Sequence, residues 1–465
     1  MQLLTDLSFL NIGEKWTPLS QRHRLDMYET NKELYEGNFY EAYYETYQKI
    51  KTRYGLSDDD LEQIMIPIAL FGCLVEIYSD LTLVDEPLFT CTRQKELDSI
   101  IENTKYNKEL LEQAFIDAYS MGNGIFRVSR IDNKAKIDVI TPDLWFPVVK
   151  PDNKCEYTHH VIAWKYEDSV MNWLGVVEKY YLKVEIHERG KMTEQVYELD
   201  RAGNIIKKLS EQEYIFADDW AGFLIFPFNF GVPSWRAFGL DNFTNIISLI
   251  EEITVRVSNN SKILDENADP TLLAPPSALE HDPLTGQRYY PNKSVLQIPK
   301  MDEKPSYLTW EGNLTNSETQ INRLMDFFYM ITGTNPQIFG KDLDGNLSGA
   351  ALMKIFMRPL KKANRYIKNM KPACIDTLTC AMAMEGIKNV EISAEFKEAN
   401  FETIDDISER MIGQKTAGIR SIESAVRKIN PHLDDKAIIQ EVKSIENENQ
   451  ITIADVGNIG VGQND

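Results

Sequence analysis

The sequence is poor in the residues that build most small reactive sites. It has five cysteines in 465 residues, Cys73, Cys91, Cys155, Cys374 and Cys380, and no two of them form a CxxC pair. An odd, scattered set excludes a disulfide-stapled scaffold and a cysteine zinc centre, and it fits a reducing cytoplasm. There are six histidines and no HExxH or GxSxG signature, so the zinc-hydrolase and serine-hydrolase patterns are missing. His159 and His160 are adjacent in a β-rich run, and a strand would point them to opposite faces. Long apolar runs are lacking too. The best, Ile64 to Val75, contains Pro67 and Gly72 and stops at Glu76, well short of the ~20 residues of a membrane span. It reads as a buried helix, and no membrane partner is expected. Met1 to Leu10 has no basic n-region and carries Asp6, so no secretory signal is expected.

A nucleotide cradle is also missing. The nearest candidate, Gly333-TNPQIF-Gly340-Lys341-Asp342, puts six residues between its glycines. A P-loop has four, then Ser or Thr after the Lys, and it follows a strand, whereas a helical pattern precedes Gly333. Asp342, Asp344 and Asn346 hint at a calcium loop, which would then need Gly at 347 and Glu at 353. Leu347 and Met353 stand there. No residue is a catalytic candidate, and neither metal nor cofactor is expected. Positive charge is short as well: 50 Lys and Arg against 71 Asp and Glu give a formal charge of −21. A protein that coats nucleic acid would be basic, because phosphate neutralisation dominates such affinity. An acidic chain cannot coat DNA, yet it could line a duct through which DNA slides without sticking.

What is present is a large soluble core, with 43% hydrophobic and 26% charged residues, and an ordered change of pattern. The expected class is α+β, mainly helical. Residues 1–120 are mainly helical in pattern, with Tyr28, Tyr35, Tyr40, Tyr43, Tyr44, Tyr47 and Tyr54 as an aromatic core and interface face. Helical patterns follow at about 58–80 and 95–121. From Gly124 to Ser210, β-rich runs alternate with turns at 132–133, 188–190 and 201–203, which predicts antiparallel hairpins and not βαβ units. Phe243, Ile246, Ile250, Ile253 and Val257 then mark a long helix over Leu240 to Glu266, about 40 Å at 1.5 Å per residue.

A proline-rich, weakly periodic stretch occupies 268–315. A second helix should start near Ser317, with Gln320 completing a capping box, and bear Ile321, Leu324, Phe327, Phe328 and Ile331 on its apolar face. The run Gly333 to Leu347 reads as a loop. Ser348 should cap a long helix reaching Gly386 and kinked at Pro359. A short strand near 396 and helices at 403–416, 421–429 and 434–447 complete the order, before a polar tail. Two long helices bracketing a small knob form a stalk, and its sides need neighbours, which points to an oligomer.

The most informative charge pattern lies after the loop. Lys354, Arg358, Lys361, Lys362, Arg365, Lys368 and Lys371 follow one another with no acid between. At about 100° per residue, Lys354, Arg358, Lys361, Arg365 and Lys368 share one narrow helix face. Such a stripe serves either as a solvated or intersubunit face, pairing with a neighbour's acids, or as a local contact to DNA.

These runs resemble the portal proteins of tailed phages, of the siphophage type. The resemblance is carried by GTNPQIFGKDLDGNLSGAALMKIF, similar to that family's tunnel-loop region, and by FPFNFGVPSWRAFGLDNFTNIISLIEEI, similar to the run into its first stem helix. RLDMYETNKELYEGN, MGNGIFRVSRI and VITPDLWFPVV resemble its wing, and DISERMIGQKTAGIRSIESAVRKI its crown. Where the family often has Ser-Asp after Gly239, this chain has Leu240 and Asp241. The resemblance spans roughly 20–447 in the right order.

The resemblance implies a non-enzymatic subunit of a dodecameric ring at one capsid vertex, in the virion and, during assembly, in the host cytoplasm. It implies a wing over 1–238, stem helices at 239–266 and 316–334, and a clip at 267–315. A tunnel loop at 335–347, a wing helix and strand at 348–398, crown helices at 399–447 and a mobile tail at 448–465 would follow. The loop residues Asn335, Pro336, Gln337, Lys341, Asp342, Asp344 and Asn346 would face the DNA. The implied partners are further copies of the chain, double-stranded DNA passing without sequence preference, the terminase large subunit, major capsid and scaffolding proteins, and the head–tail connector.

Packing arithmetic is compatible with that ring. Twelve helices spaced ~10 Å apart put their axes on a circle ~38 Å across, and one helix diameter of ~10 Å less leaves a bore of ~28 Å. A duplex roughly 20 Å wide, with a major groove ~8.5 Å deep, passes and can be touched by a projecting loop. Two other readings compete: a DNA-packaging ATPase built on the Gly333–Lys341 loop, and a head or adaptor protein with no channel.

Overall fold

The computed structural model describes residues 3–445 apart from 56, 59–64, 173–174, 234–235, 269–270, 275–279, 282–287, 290–294, 298–305, 309–313, 342–348, 400–403 and 431–434. Helices and strands both make up much of the described residues, the mixed class that the sequence patterns predict. It divides into two compact units. One comprises Met1–Thr334 with Lys362–Glu398, the other Asn335–Lys361 with Ala399–Asp465. The boundary therefore falls inside the long helix after the loop, where the sequence placed all of 348–398 with the body.

The first unit opens with helices α1 (Arg22–Glu36), α2 (Phe39–Ala42) and α3 (Tyr44–Tyr54). Tyr28, Tyr43 and Tyr47 are buried as the aromatic run predicts, whereas Tyr44 is exposed. Helix α4 spans Leu70–Thr82 and buries Phe71, Leu74, Val75 and Tyr78. It begins later than the apolar run does, and residues 65–69 carry no regular structure. Pro67 is the cause: it lacks an N–H and steers Ile66 before it away from the helical region. Strand β1 (Leu88–Thr90), helix α5 (Gln94–Thr104) and helix α6 (Lys108–Met121) follow. In α6, Asn107 caps the start through Leu110 N, and Leu111, Ala114, Phe115, Ala118 and Tyr119 form one buried stripe.

Strands then take over. β2 (Asn123–Ile131) lies between β3 (Lys134–Val139) and β9 (Ile225–Asn229). A second sheet is an antiparallel meander of β4 (Trp145–Lys150), β5 (Asn153–Asn172), β6 (Gly175–Glu188), β7 (Lys191–Leu199) and β8 (Ile205–Ile215). These are hairpins, as the turn signals require. His160 is buried and its neighbour His159 is half-exposed, the alternation a strand imposes. Beneath the meander, Trp16, Phe146, Val148, Leu182, Val184 and Leu199 form a core cluster.

The junction into the next helix rests on two glycines. A Cβ on Gly239 would stand 1.7 Å from Gly122 O, and one on Gly122 2.6 Å from Gly239 O. Neither position accepts a larger residue without moving backbone. Helix α7 (Ile247–Ala268) starts later than Leu240. Asp241 Oδ1 accepts from Phe243 N (2.9 Å) and Thr244 N (2.6 Å), and Thr244 Oγ1 donates to Oδ2 (2.8 Å), so the chain turns before it coils. Phe243, Ile246, Ile250 and Ile253 are buried as expected.

In the proline-rich stretch, β10 (Thr271–Ala274) pairs parallel with β13 (Val295–Gln297) and antiparallel with β14 (Ser306–Leu308). Between them in sequence, β11 (Glu280–His281) pairs with β12 (Arg288–Tyr289). Helix α8 (Thr315–Thr332) returns alongside α7. The capping box predicted for it does not form: Leu314 stands at the N-cap with no side-chain bond, and Ser317 Oγ donates to Asn260 Oδ1 on α7 at 2.7 Å. Of its predicted apolar face only Phe328 is buried, while Phe327 and Ile331 are 42% and 49% exposed. The long helix α9 (Gly349–Met384) runs unbroken through Pro359, and β15 (Ser393–Glu395) pairs with β1.

The second unit holds the start of α9 and helices α10 (Ile404–Thr416) and α11 (Ile422–Ile429), with a further helical run at 435–445. Met411, Ala425, Val426 and Ile438 are its buried apolar residues in this region. Ser421 caps α11 through Ser424 N.

Candidate nucleic-acid interface

Helix α9 carries the basic run, and its two sides differ. Ala363, Tyr366 and Met370 are buried, whereas Lys354, Arg358, Lys361, Arg365 and Lys368 are exposed. Those five are the ones that a helical period puts on one face. No carboxylate among the described residues pairs with Lys354, Lys361, Arg365 or Lys368. Four such cations along one helix face suit the phosphates of a polyanion or the carboxylates of another chain.

Lys362 does not belong to that row. It lies about 80° around the helix from Lys354 and turns into the first unit. Its Nζ donates to Thr332 O at 3.0 Å and stands 4.5 Å from the Tyr78 ring centroid, 5.6 Å from Tyr119 and 5.8 Å from Tyr366. Tyr78 Oη donates to the same carbonyl at 2.9 Å. The last carbonyls of a helix have no partner within it, and here two side chains satisfy that of the final residue of α8. Tyr366 Oη donates to Asn242 Oδ1 at 2.9 Å, and the Tyr119 hydroxyl finds no partner among the described residues. Burial pushes the Tyr119 and Tyr366 hydroxyls well above the usual tyrosine range, so these two rings stay neutral beside the ammonium. A lysine among three tyrosine rings is a cation–π anchor for the end of α8, and its place in the basic run gave no sign of that.

The loop itself starts with Gly333, left-handed at φ 77°, whose N–H closes α8 on Tyr329 O. Asn335 caps a 3₁₀ turn over Pro336–Phe339, and Gly340 ends it at φ 79°. The preceding element is a helix, as the sequence indicated against a P-loop. Asn335, Pro336 and Gln337 are half-buried and Lys341 is exposed. Asp342, Asp344, Asn346 and Ser348, the residue expected to cap the long helix, lie outside the described residues. Asn335 is engaged at both ends of its amide, with Oδ1 accepting from Ile338 N (2.9 Å) and Nδ2 donating to Ile355 O (2.8 Å). Among the described residues no group of three or more His, Cys, Asp and Glu could hold a metal ion, and no helix is long and apolar enough to cross a membrane.

Two solved structures have similar chains, each 12% identical: the neck of a native gene transfer agent particle computed with C12 symmetry, and the virion of a native gene transfer agent particle. The first gives a TM-score of 0.45 over 77% of this chain and 89% of that one, the second 0.44 over 78% and 89%. No curated protein sequence matches. A family model for the SPP1 Gp6-like phage portal protein matches residues 20–453. Helices α7 to α9 and nearly all of the preceding strands and helices lie within that match, so the chain belongs to the SPP1 Gp6-like phage portal protein family, a family of structural proteins of the virion.

Proposed function

We propose that the chain is a portal-vertex subunit whose dodecameric ring forms the channel for double-stranded DNA, inward during packaging and outward at ejection. The family match over residues 20–453 is the observation that carries this reading. The ring is the virion's docking platform for the terminase large subunit and then for the head–tail connector, and it is set among major capsid and scaffolding proteins after assembly in the host cytoplasm. The body, 1–238, is the wing; α7 and α8 are the stem; the strands between them are the clip; and the C-terminal helices are the crown.

Two physical features support the ring. Phe327, Met330 and Ile331 on α8 are 42%, 58% and 49% exposed, an apolar face that a neighbouring copy would cover. A net charge of −21 repels phosphate and keeps a duct from gripping its cargo, while the five-residue basic face of α9 supplies a local contact. In this reading the loop at 335–347 lines the narrowest part of the channel, and its DNA-facing residues include Asn335, Pro336, Gln337 and the exposed Lys341.

Native mass spectrometry of the purified assembly, with class averages from negatively stained particles, tests the proposal. The expected result is twelve 53.5 kDa chains around a central hole. A monomer or dimer without a hole would overturn it and return attention to nucleotide binding at Gly333–Lys341.

A further inference from the structure

We infer that Asn335 is the positioning residue of the loop that follows α8, and that it works through a carbonyl which Pro359 leaves free on α9. The reasoning starts from proline chemistry. Pro359 has no N–H, so Ile355 O, four residues earlier, loses the donor that the α-helical pattern would give it. Asn335 Nδ2 supplies the missing donor at 2.8 Å. Oδ1 of the same amide accepts from Ile338 N at 2.9 Å and holds the 3₁₀ turn, in which Pro336 takes the first position and needs no donor. Asn335, Ile355 and Pro359 all belong to the second compact unit.

A primary amide is suited to this place because it offers a donor and an acceptor on one short, stiff side chain. Aspartate keeps the acceptor for Ile338 N but presents a second oxygen to Ile355 O. One side chain therefore ties the loop to α9 at a point where the helix lacks its regular donor. That the position of this loop matters to DNA passage rests on the portal reading above.

The test uses the full-chain assembly and hydrogen exchange of the amides over 337–341, in the wild type and in N335A, N335D, P359A and N335D/P359A. Loss of the Ile355 bond predicts that N335D speeds exchange across the loop on the order of tenfold, although the cap on Ile338 N is kept. N335A should do so at least as strongly. P359A restores a backbone donor to Ile355 O, so N335D should cost less in that background. Amides of the five-stranded sheet report that each variant is folded. If N335D exchanges like the wild type while N335A does not, Asn335 is a local cap and the inference fails. It fails equally if neither variant changes the loop. DNA packaging by N335D particles is the second readout. Faster loop exchange with undiminished packaging would leave the positioning role standing and count against the loop's place in the channel.

Discussion

The two halves of helix α9 are built differently. From Lys362 onward, Ala363, Tyr366, Met370, Ala373, Cys374, Thr377, Leu378 and Cys380 to Met384 are buried. Over 352–361 only Phe356 and Pro359 are buried, and three exposed cations punctuate the stretch. The second half is core; the first is held by Asn335 and by its own unit. A continuous helix can therefore belong to two compact units, because its stability comes from what covers each stretch and not from propensity alone. Lys362 and Tyr366 mark the crossing point, since they face the aromatic side while Lys361 and Arg365 beside them face out.

The sharpest way to break the comparison is to remove Tyr366, which contacts Tyr78, Phe115, Tyr119 and Phe230 and bonds to Asn242. Tyr366→Ala should destabilise the first unit by about 3–5 kcal/mol, as large-to-small changes at buried aromatics do. Arg365→Ala next to it should stay within about 0.5 kcal/mol. Denaturant midpoints of the two variants decide it, and equal losses would mean that the exposed face is covered in the assembly. The next largest contrast is Lys362→Met against Lys361→Met. The first loses a bond to Thr332 O and a cation among three rings, about 2 kcal/mol together, and frees the end of α8. The second should be close to neutral in stability.

How far the sequence reveals this follows the same line. The five outward cations were legible because a helical period alone sorts them onto one face. Lys362 was not, since its role depends on Tyr78 and Tyr119, which only the fold brings near. Local chemistry also misled at two helix starts. Asp241 takes two backbone N–H groups and delays α7 to Ile247, and Ser317 bonds across to Asn260 instead of capping α8. The antiparallel meander was readable from its turns, and the helices expected at 403–416 and 421–429 match α10 and α11. The orphaned carbonyl of Ile355 was implicit in Pro359, but nothing local names Asn335 as its partner.

The outward face is tested by charge reversal at Lys361 and Arg365. With both changed to Glu, DNA packaging or retention should fall while the mass of the assembly stays the same. If binding of DNA to the ring is measured directly, the salt-dependence slope should fall by about 1 for every phosphate deprived of its cation. Should the rings fail to form before DNA handling changes, the stripe faces a neighbouring subunit.

The smallest expected effect comes from titration in the first unit, where the buried His160 and the half-buried Asp117 pull in opposite directions. Burial holds the His160 imidazole down, to about 3 from 6.5, helped by the neighbouring His187 and His159, and its Nδ1 accepts from Trp145 Nε1 at 3.1 Å. The unfolded chain takes up a proton at this site below pH 6.5 that the fold refuses, so stability is full above that pH and is lost on acidification toward 3. Burial pushes the Asp117 carboxyl up, to about 7 from 3.8, with the Asp143 charge adding to it and Lys32 opposing. The fold keeps that proton where the unfolded chain has released it, so this contribution is lost as pH rises from 3.8 through 7. Asp117→Asn removes the second loss alone. Its melting temperature should match the wild type near pH 4 and exceed it by about 2 °C at pH 8, while the acid limb, to which His160 and His187 both contribute, stays in place. Parallel melting curves at both pH values would mean that Asp117 is ionised in the fold and that Lys32, paired with Asp143 at 2.8 Å, serves both carboxylates.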